Sequence, residues 1–122
     1  MSDRKTLKQE YKDTPKPMGI YRILNRSNGK CLVGRSVNIP GLFNRERFML
    51  KLGDHRNLPL QEDWKRFGAD AFTFEVLEDL EAPDDSPDHN PKEDLVALEE
   101  LWIEKLSPFG DKGYNKPPKD ER

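Results

Sequence analysis

The sequence is short of the residues on which many small sites and scaffolds are built. Its 122 residues contain one cysteine, Cys31, and two histidines, His55 and His89. A single cysteine closes no internal disulfide, which suits a reducing compartment. One thiol and two imidazoles do not make an ordinary four-ligand structural zinc site. Long apolar runs are missing as well: hydrophobic residues are 34% of the chain, charged residues 36%, and the mean hydropathy is -0.95. No membrane span is expected from such a chain. The first 17 residues, MSDRKTLKQEYKDTPKP, have no apolar core of the kind a secretory signal needs, so the cytoplasm is the expected location. At this length one domain with a modest core is expected, a monomer by default.

Net charge is nearly absent too, at -2, but it is the residue of two opposed segments. From Gly19 to Arg66 there are ten Lys/Arg against four Asp/Glu; from Asp70 to Glu104 there are thirteen acids and one base, Lys92. Such segregation suggests a basic face able to meet phosphates. The alternative is that both runs are solvated surface.

What is present is most informative between Met18 and Ser36, MGIYRILNRSNGKCLVGRS. Two apolar runs flank Ser27-Asn28-Gly29-Lys30, and Asn-Gly is the strongest short hairpin signal, since a type I′ turn needs positive φ at both central residues. That turn pairs Asn25 with Leu32, Ile23 with Gly34 and Tyr21 with Ser36. Tyr21, Ile23, Leu32, Gly34 and Ser36 then share one sheet face, where glycine leaves room for a close approach.

Around this hairpin the chain reads as a polar N-terminal arm (1–17), a domain (18–116) and a charged tail (117–122). Asn38, with Pro40 in the first turn, starts a helix that stops near Gly53. A second helix runs to Gly68, capped by Asn57 or Asp54, with Leu60, Trp64 and Phe67 in one stripe. AFTFEVL, Ala71 to Leu77, alternates as a half-buried strand. EDLEAPDDSPDHNPKED is an acidic, proline-bearing surface loop. A third helix follows from about Asp94 to Leu106. The order ββααβα predicts an α+β fold, a small three-stranded antiparallel sheet flanked by helices.

Glu99 stands out on that third helix. Its neighbours one turn away are Leu95, Val96, Trp102 and Ile103, which places a carboxylate inside the apolar face. An unpaired carboxylate there costs several kcal/mol unless it binds a cation or finds donors. The alternative is a side chain that reaches water from the edge of the stripe. Glu100 is less favoured, having Glu104 beside it.

Gly19-Ile20-Tyr21, followed by Leu32-Val33-Gly34 eleven residues after Tyr21, resembles the paired signature of the GIY-YIG nuclease superfamily. Three further landmarks keep its order: His55 with Leu60-Gln61, then Trp64, Phe67-Gly68, Phe72 and Phe74; Glu99 three residues before Trp102; and Gly113-Tyr114-Asn115. The resemblance spans about Gly19 to Asn115. It implies a divalent-metal-dependent endonuclease acting on DNA, with Glu99 holding Mg2+ or Mn2+. Tyr21, its phenol lowered in pKa or relayed through water, would orient or deprotonate the attacking water. His55 would be a second base or a phosphate contact, and Asn115 would fix the geometry. Arg35, Arg45, Lys51 and Arg56 are the expected nucleic-acid contacts.

Two positions depart from the family pattern. Leu32 replaces the second tyrosine, and Leu42 stands where the family has its arginine. Arg45, about 60° round the helix from Leu42 and able to lean back over that turn, is the expected substitute. Arg47 lies about 140° away, and Arg35 falls on the sheet face opposite Tyr21. Two alternatives therefore stay open beside the nuclease. One is a catalytically impaired relative that binds nucleic acid; the other is an interaction domain that docks through its acidic loop.

Overall fold

The computed structural model describes residues 17–80 and 91–116. The N-terminal arm, the charged tail and most of the acidic loop lie outside them. Six main elements follow in order: β1 (Met18–Asn25), β2 (Cys31–Ser36), α1 (Ile39–Leu52), α2 (Leu58–Phe67), β3 (Phe72–Leu80) and α3 (Pro91–Leu106). Short 3-10 turns occupy Ala69–Ala71 and Gly110–Lys112. The three strands form one antiparallel sheet in the order β2-β1-β3, so the expected α+β architecture is the one adopted. Among the described residues no helix is long and apolar enough to cross a membrane.

β1 is the middle strand and is covered on both faces, which is why its apolar run is nearly continuous. On one face Tyr21 and Ile23 pack with Leu50 of α1, Leu60 and Trp64 of α2, Phe72 and Tyr114. On the other Ile20, Cys31 and Val33 pack with Leu95, and Leu98, Trp102 and Ile103 of α3 close over them. The sheet is thus a partition between two small cores.

The hairpin register differs from the expected one by two residues. Tyr21 pairs with Gly34 and Ile23 with Leu32, because the loop holds four residues rather than two. Asn25 N–H donates to the Lys30 carbonyl at 2.8 Å, and Gly29 N–H donates to the Asn25 carbonyl at 2.7 Å. Gly29 takes the positive φ of 80°, whereas Asn28 has none. Asn25 decides the matter. Its carboxamide oxygen accepts from Ser27 N–H at 2.9 Å, and its amide donates to the Tyr114 hydroxyl at 3.1 Å. That moves Arg26 and Ser27 from the first strand into the loop, leaving Lys30 at its far end. A shift of two preserves the faces, so Tyr21 and Gly34 still look the same way.

β3 is longer than its alternation suggests. It runs to Leu80 and meets Met18, with a bulge opposite the Ile20/Tyr21 step. The extra residue turns Leu77 and Glu78 toward α3, where Glu78 accepts from the Trp102 indole at 2.8 Å. α3 also begins earlier than expected, at Pro91, since the fixed φ of proline suits a first helical position.

Helix caps place the loops around the site. Asn38 accepts from Gly41 N–H at 3.1 Å and starts α1 beside β2. Asn57 is the cap of α2, accepting from Leu60 N–H at 3.1 Å while its amide donates to the Tyr114 carbonyl at 2.9 Å. One side chain therefore fixes both the start of α2 and the C-terminal segment. That segment also pairs along the outer edge of β2: Tyr114 N–H donates to the Cys31 carbonyl at 2.9 Å.

Candidate active site

Tyr21 lies on the central strand directly opposite Gly34, and the pairing explains the glycine. A Cβ at position 34 would come within 2.5 Å of the Tyr21 hydroxyl and 2.7 Å of its ring. Only a bare backbone lets the phenol cross β2 toward solvent. The Phe43 ring meets it edge-on, with centroids 5.9 Å apart, and holds it there. The hydroxyl reaches a cleft of about 390 Å³ between β2, α1 and the α1–α2 loop, whose wall includes Leu32, Leu42, Glu46, His55, Arg56, Asn57, Asn115 and Lys116.

Burial pushes the Tyr21 phenol well above the ordinary tyrosine range; Glu46 and Glu99 push it further, while Arg56 and Arg35 offset part of this. Of the two routes that the resemblance implies for Tyr21, this direction runs against the lowered phenol and leaves the relay through water. A group four-fifths or more surrounded by protein, with two carboxylates in range, keeps its proton near neutral pH. It is a hydrogen-bond donor.

His55 and Glu46 form a buried pair in the cleft wall. Their side chains meet at 2.7 Å, and the imidazole Nδ1 accepts from Asn57 N–H at 3.0 Å. That second bond assigns the proton to Nε2, which donates to Glu46. Gln61 locks the loop by accepting from His55 N–H at 2.9 Å and donating to the Leu50 carbonyl at 3.1 Å. Both ring nitrogens of His55 are engaged, so in this arrangement it props Glu46 rather than offering a free lone pair.

Asn115 sits in the cleft wall with its carboxamide spread across Val33. It accepts from Val33 N–H at 2.8 Å and donates to the Val33 carbonyl at 2.9 Å. It thus clamps the C-terminal segment to the edge of β2, and through β2 it steadies Gly34.

Glu99 has found a donor. The Arg35 guanidinium meets one of its oxygens at 2.6 Å across the β2–α3 contact, on the face away from Tyr21. Its side chain is 18% exposed, and its charge still acts on the phenol. Among the described residues no three His, Cys, Asp or Glu side chains gather as a metal cage. One half-buried carboxylate with an oxygen to spare suits Mg2+, which takes one or two carboxylates and keeps water and phosphate in its other positions.

The basic residues separate into two groups. Arg56 lies in the cleft wall. Arg45 and Lys51 are exposed on α1 and do not line the cleft. Arg47 points away and stacks on Phe74 at 4.3 Å from the ring centroid. Leu32 and Leu42, the two departures, both line the cleft and make part of its wall apolar.

Glu46, Asn57 and Lys116 were not anticipated as site residues. Glu46 carried a readable signal, since Leu42, Phe43, Met49 and Leu50 flank it one turn away, as apolar residues flank Glu99. Asn57 and Lys116 carried none.

Solved structures bear on this geometry. The catalytic domain of the homing endonuclease I-TevI is similar over 83% of this chain and 99% of its own, at a TM-score of 0.67 and 29% identity. A mutant of that intron endonuclease domain matches 75% of this chain and 84% of its own, at a TM-score of 0.62 and 25% identity. Its ordered motifs and its fold are those of the GIY-YIG nuclease superfamily. No family model matches it, and no curated protein does. In this fold the tyrosine and glycine of the paired motifs are therefore a single packed unit, Tyr21 across Gly34.

Proposed function

We propose that this GIY-YIG domain is a DNA endonuclease that hydrolyses phosphodiester bonds with Mg2+ or Mn2+ held at Glu99. The observation that carries the reading is the Tyr21 hydroxyl, aimed past Gly34 into a cleft whose wall holds Arg56, in the fold of a homing endonuclease catalytic domain. When bound, the cation supplies Lewis-acid stabilisation of charge on a phosphate oxygen. The protonated phenol of Tyr21 donates a hydrogen bond that orients the phosphate or the attacking water. Arg56 offsets the charge that grows on the phosphoryl oxygens. Arg45, exposed on α1 outside the cleft, would add a second guanidinium by swinging back over the turn toward Leu42. The apolar Leu32 and Leu42 walls lower the local dielectric and strengthen both interactions. His55 keeps Glu46 in place beneath the phenol, and Asn115 keeps β2 in place beside it.

A binding relative with impaired catalysis is the second reading, favoured by one observation: Leu32 and Leu42 stand in the cleft wall, where neither can hydrogen-bond. Incubating supercoiled plasmid with the purified chain, with and without Mg2+ or Mn2+, separates the two. Divalent-dependent nicking, lost in Glu99→Gln, is the expected result. Nicking by Glu99→Gln at the parent rate would show that the metal is held elsewhere, and an inert parent that retains DNA binding would establish the second reading.

A further inference from the structure

A second depression, of about 550 Å³, adjoins the cleft and shares Arg56, Asn57, Asn115 and Lys116 with it. It adds Lys30 from the end of the hairpin loop, so three cations line it, and no carboxylate does. That is unusual on a chain with 23 acids and 21 bases. Ion pairing does not account for it. Arg22 and Arg35 are paired with Glu75 and Glu99, whereas among the described residues Arg56, Lys116 and Lys30 enter no ion pair. The Lys30 ammonium lies 5.8 Å from the Tyr114 ring centroid, a contact that keeps it at the groove. Leu58, 67% exposed, offers an apolar surface among these charges.

Three neighbouring cations that enter no ion pair repel one another, and an anion relieves that repulsion. Two joined depressions exceed what one phosphate needs. Cations strung along both, with an apolar side chain between, match a sugar–phosphate strand carrying one charge per nucleotide. We propose that this groove seats the DNA strand on one side of the reacting phosphate, with Lys30, Arg56 and Lys116 taking successive phosphates and Leu58 meeting sugar or base. Arg56, common to both depressions, joins the track to the Tyr21 cleft. The inference rests on the nuclease reading and deepens it. It moves the main backbone contact from Arg45 and Lys51 on α1 to the opposite rim, made by the hairpin loop and the C-terminal segment.

The test measures binding apart from cleavage. Anisotropy of a short labelled DNA duplex, titrated in EDTA from low to physiological salt, gives the slope of log K against log salt. The parent should bind with a steep slope, and Lys30→Gln/Arg56→Gln/Lys116→Gln should flatten it by about 2–3, at roughly 0.9 per lost phosphate contact. Arg56→Gln alone, a change at an exposed side chain, should flatten it by about 0.9. Lys65→Gln/Lys105→Gln, on surfaces away from the groove, should keep the parent slope. A triple variant with the parent slope, a control that loses as much, or a parent without salt-dependent binding overturns the proposal. Tighter binding of an RNA duplex of equal length overturns the choice of DNA. The same proteins in the plasmid assay tell the two failures apart. A parent that binds this way but never nicks sinks the nuclease reading and leaves the track. A parent that nicks while the triple variant keeps its slope sinks the track alone.

Discussion

Gly34→Ala tests the packing on which the site rests. The added Cβ would lie 2.5 Å from the Tyr21 oxygen, 2.7 Å from the ring carbon that bears it and 3.0 Å from the next. Three contacts this short require a shift, and the ring has little freedom: Tyr21 is 8% exposed and Phe43 abuts it edge-on. Either the phenol turns out of its seat or β2 moves away from β1. Overpacking of this kind costs about 1–3 kcal/mol, and a loss of about 2 kcal/mol lowers Tm by on the order of 8 °C in a domain this size. Displacing the phenol by about 1 Å should also slow nicking about a hundredfold. A double-mutant cycle isolates the contact. In a Tyr21→Ala background the ring is gone, so Gly34→Ala should cost nearly nothing further. The assay is urea denaturation of the four proteins beside their nicking rates. Equal costs of Gly34→Ala in both backgrounds would refute the argument, because position 34 would then require glycine for its own backbone and not for the tyrosine.

Three further predictions follow from the same site. His55→Ala strands the Glu46 carboxylate, which is 12% exposed at its side chain. It should cost about 3 kcal/mol in urea melts, most of it recovered when Glu46→Leu is added; no recovery would mean that the pair is not the source of the cost. Arg56→Ala should slow nicking by about 2–4 kcal/mol of transition-state stabilisation, Arg45→Ala by less, and Arg47→Ala should leave the rate unchanged; a ranking with Arg47 first would sink the placement of the arginines. Burial, with a hydrogen bond to Asp63, pushes the Tyr114 phenol up to about 12, against about 10 for an unfolded tyrosine. The folded chain then holds the proton longer, so this contribution is complete below about pH 10 and falls away as pH rises toward about 12. Tyr114→Phe should flatten that alkaline decline, and an unchanged decline would assign it elsewhere.

Much of the fold could be read locally because period and punctuation agreed. The hydrophobic spacing of α1 and α2 matched their asparagine caps, and the faces of the hairpin survived a wrong register because the error was two residues. The register itself was out of reach. It is set by Asn25, whose amide bonds a tyrosine hydroxyl 89 residues away, and no window around Asn-Gly contains that partner. The extension of β3 was hidden for a similar reason. Glu78 and Asp79 look like loop residues until the bulge turns Glu78 onto the Trp102 indole, and only the neighbouring helix supplies that reward.

At the site, the sequence located the groups whose environment is local and missed those whose role depends on where loops converge. Glu99 was legible because its apolar neighbours are one helical turn away, and the required donor proved to be Arg35. Glu46 passes the same test and went unread, which shows that the criterion is more general than the family pattern that drew attention to Glu99. Arg56 has no such signature. It is one exposed base among ten in a basic segment, and what singles it out is that α1 ends at Gly53, His55 is drawn into the cleft wall by Glu46, and Asn57 must turn to cap α2. The residue between those two anchored positions is left facing both depressions. Its place in the cleft is a consequence of the buried His55–Glu46 pair, so loosening that pair should weaken DNA binding as well as stability, although neither member is expected to touch the strand.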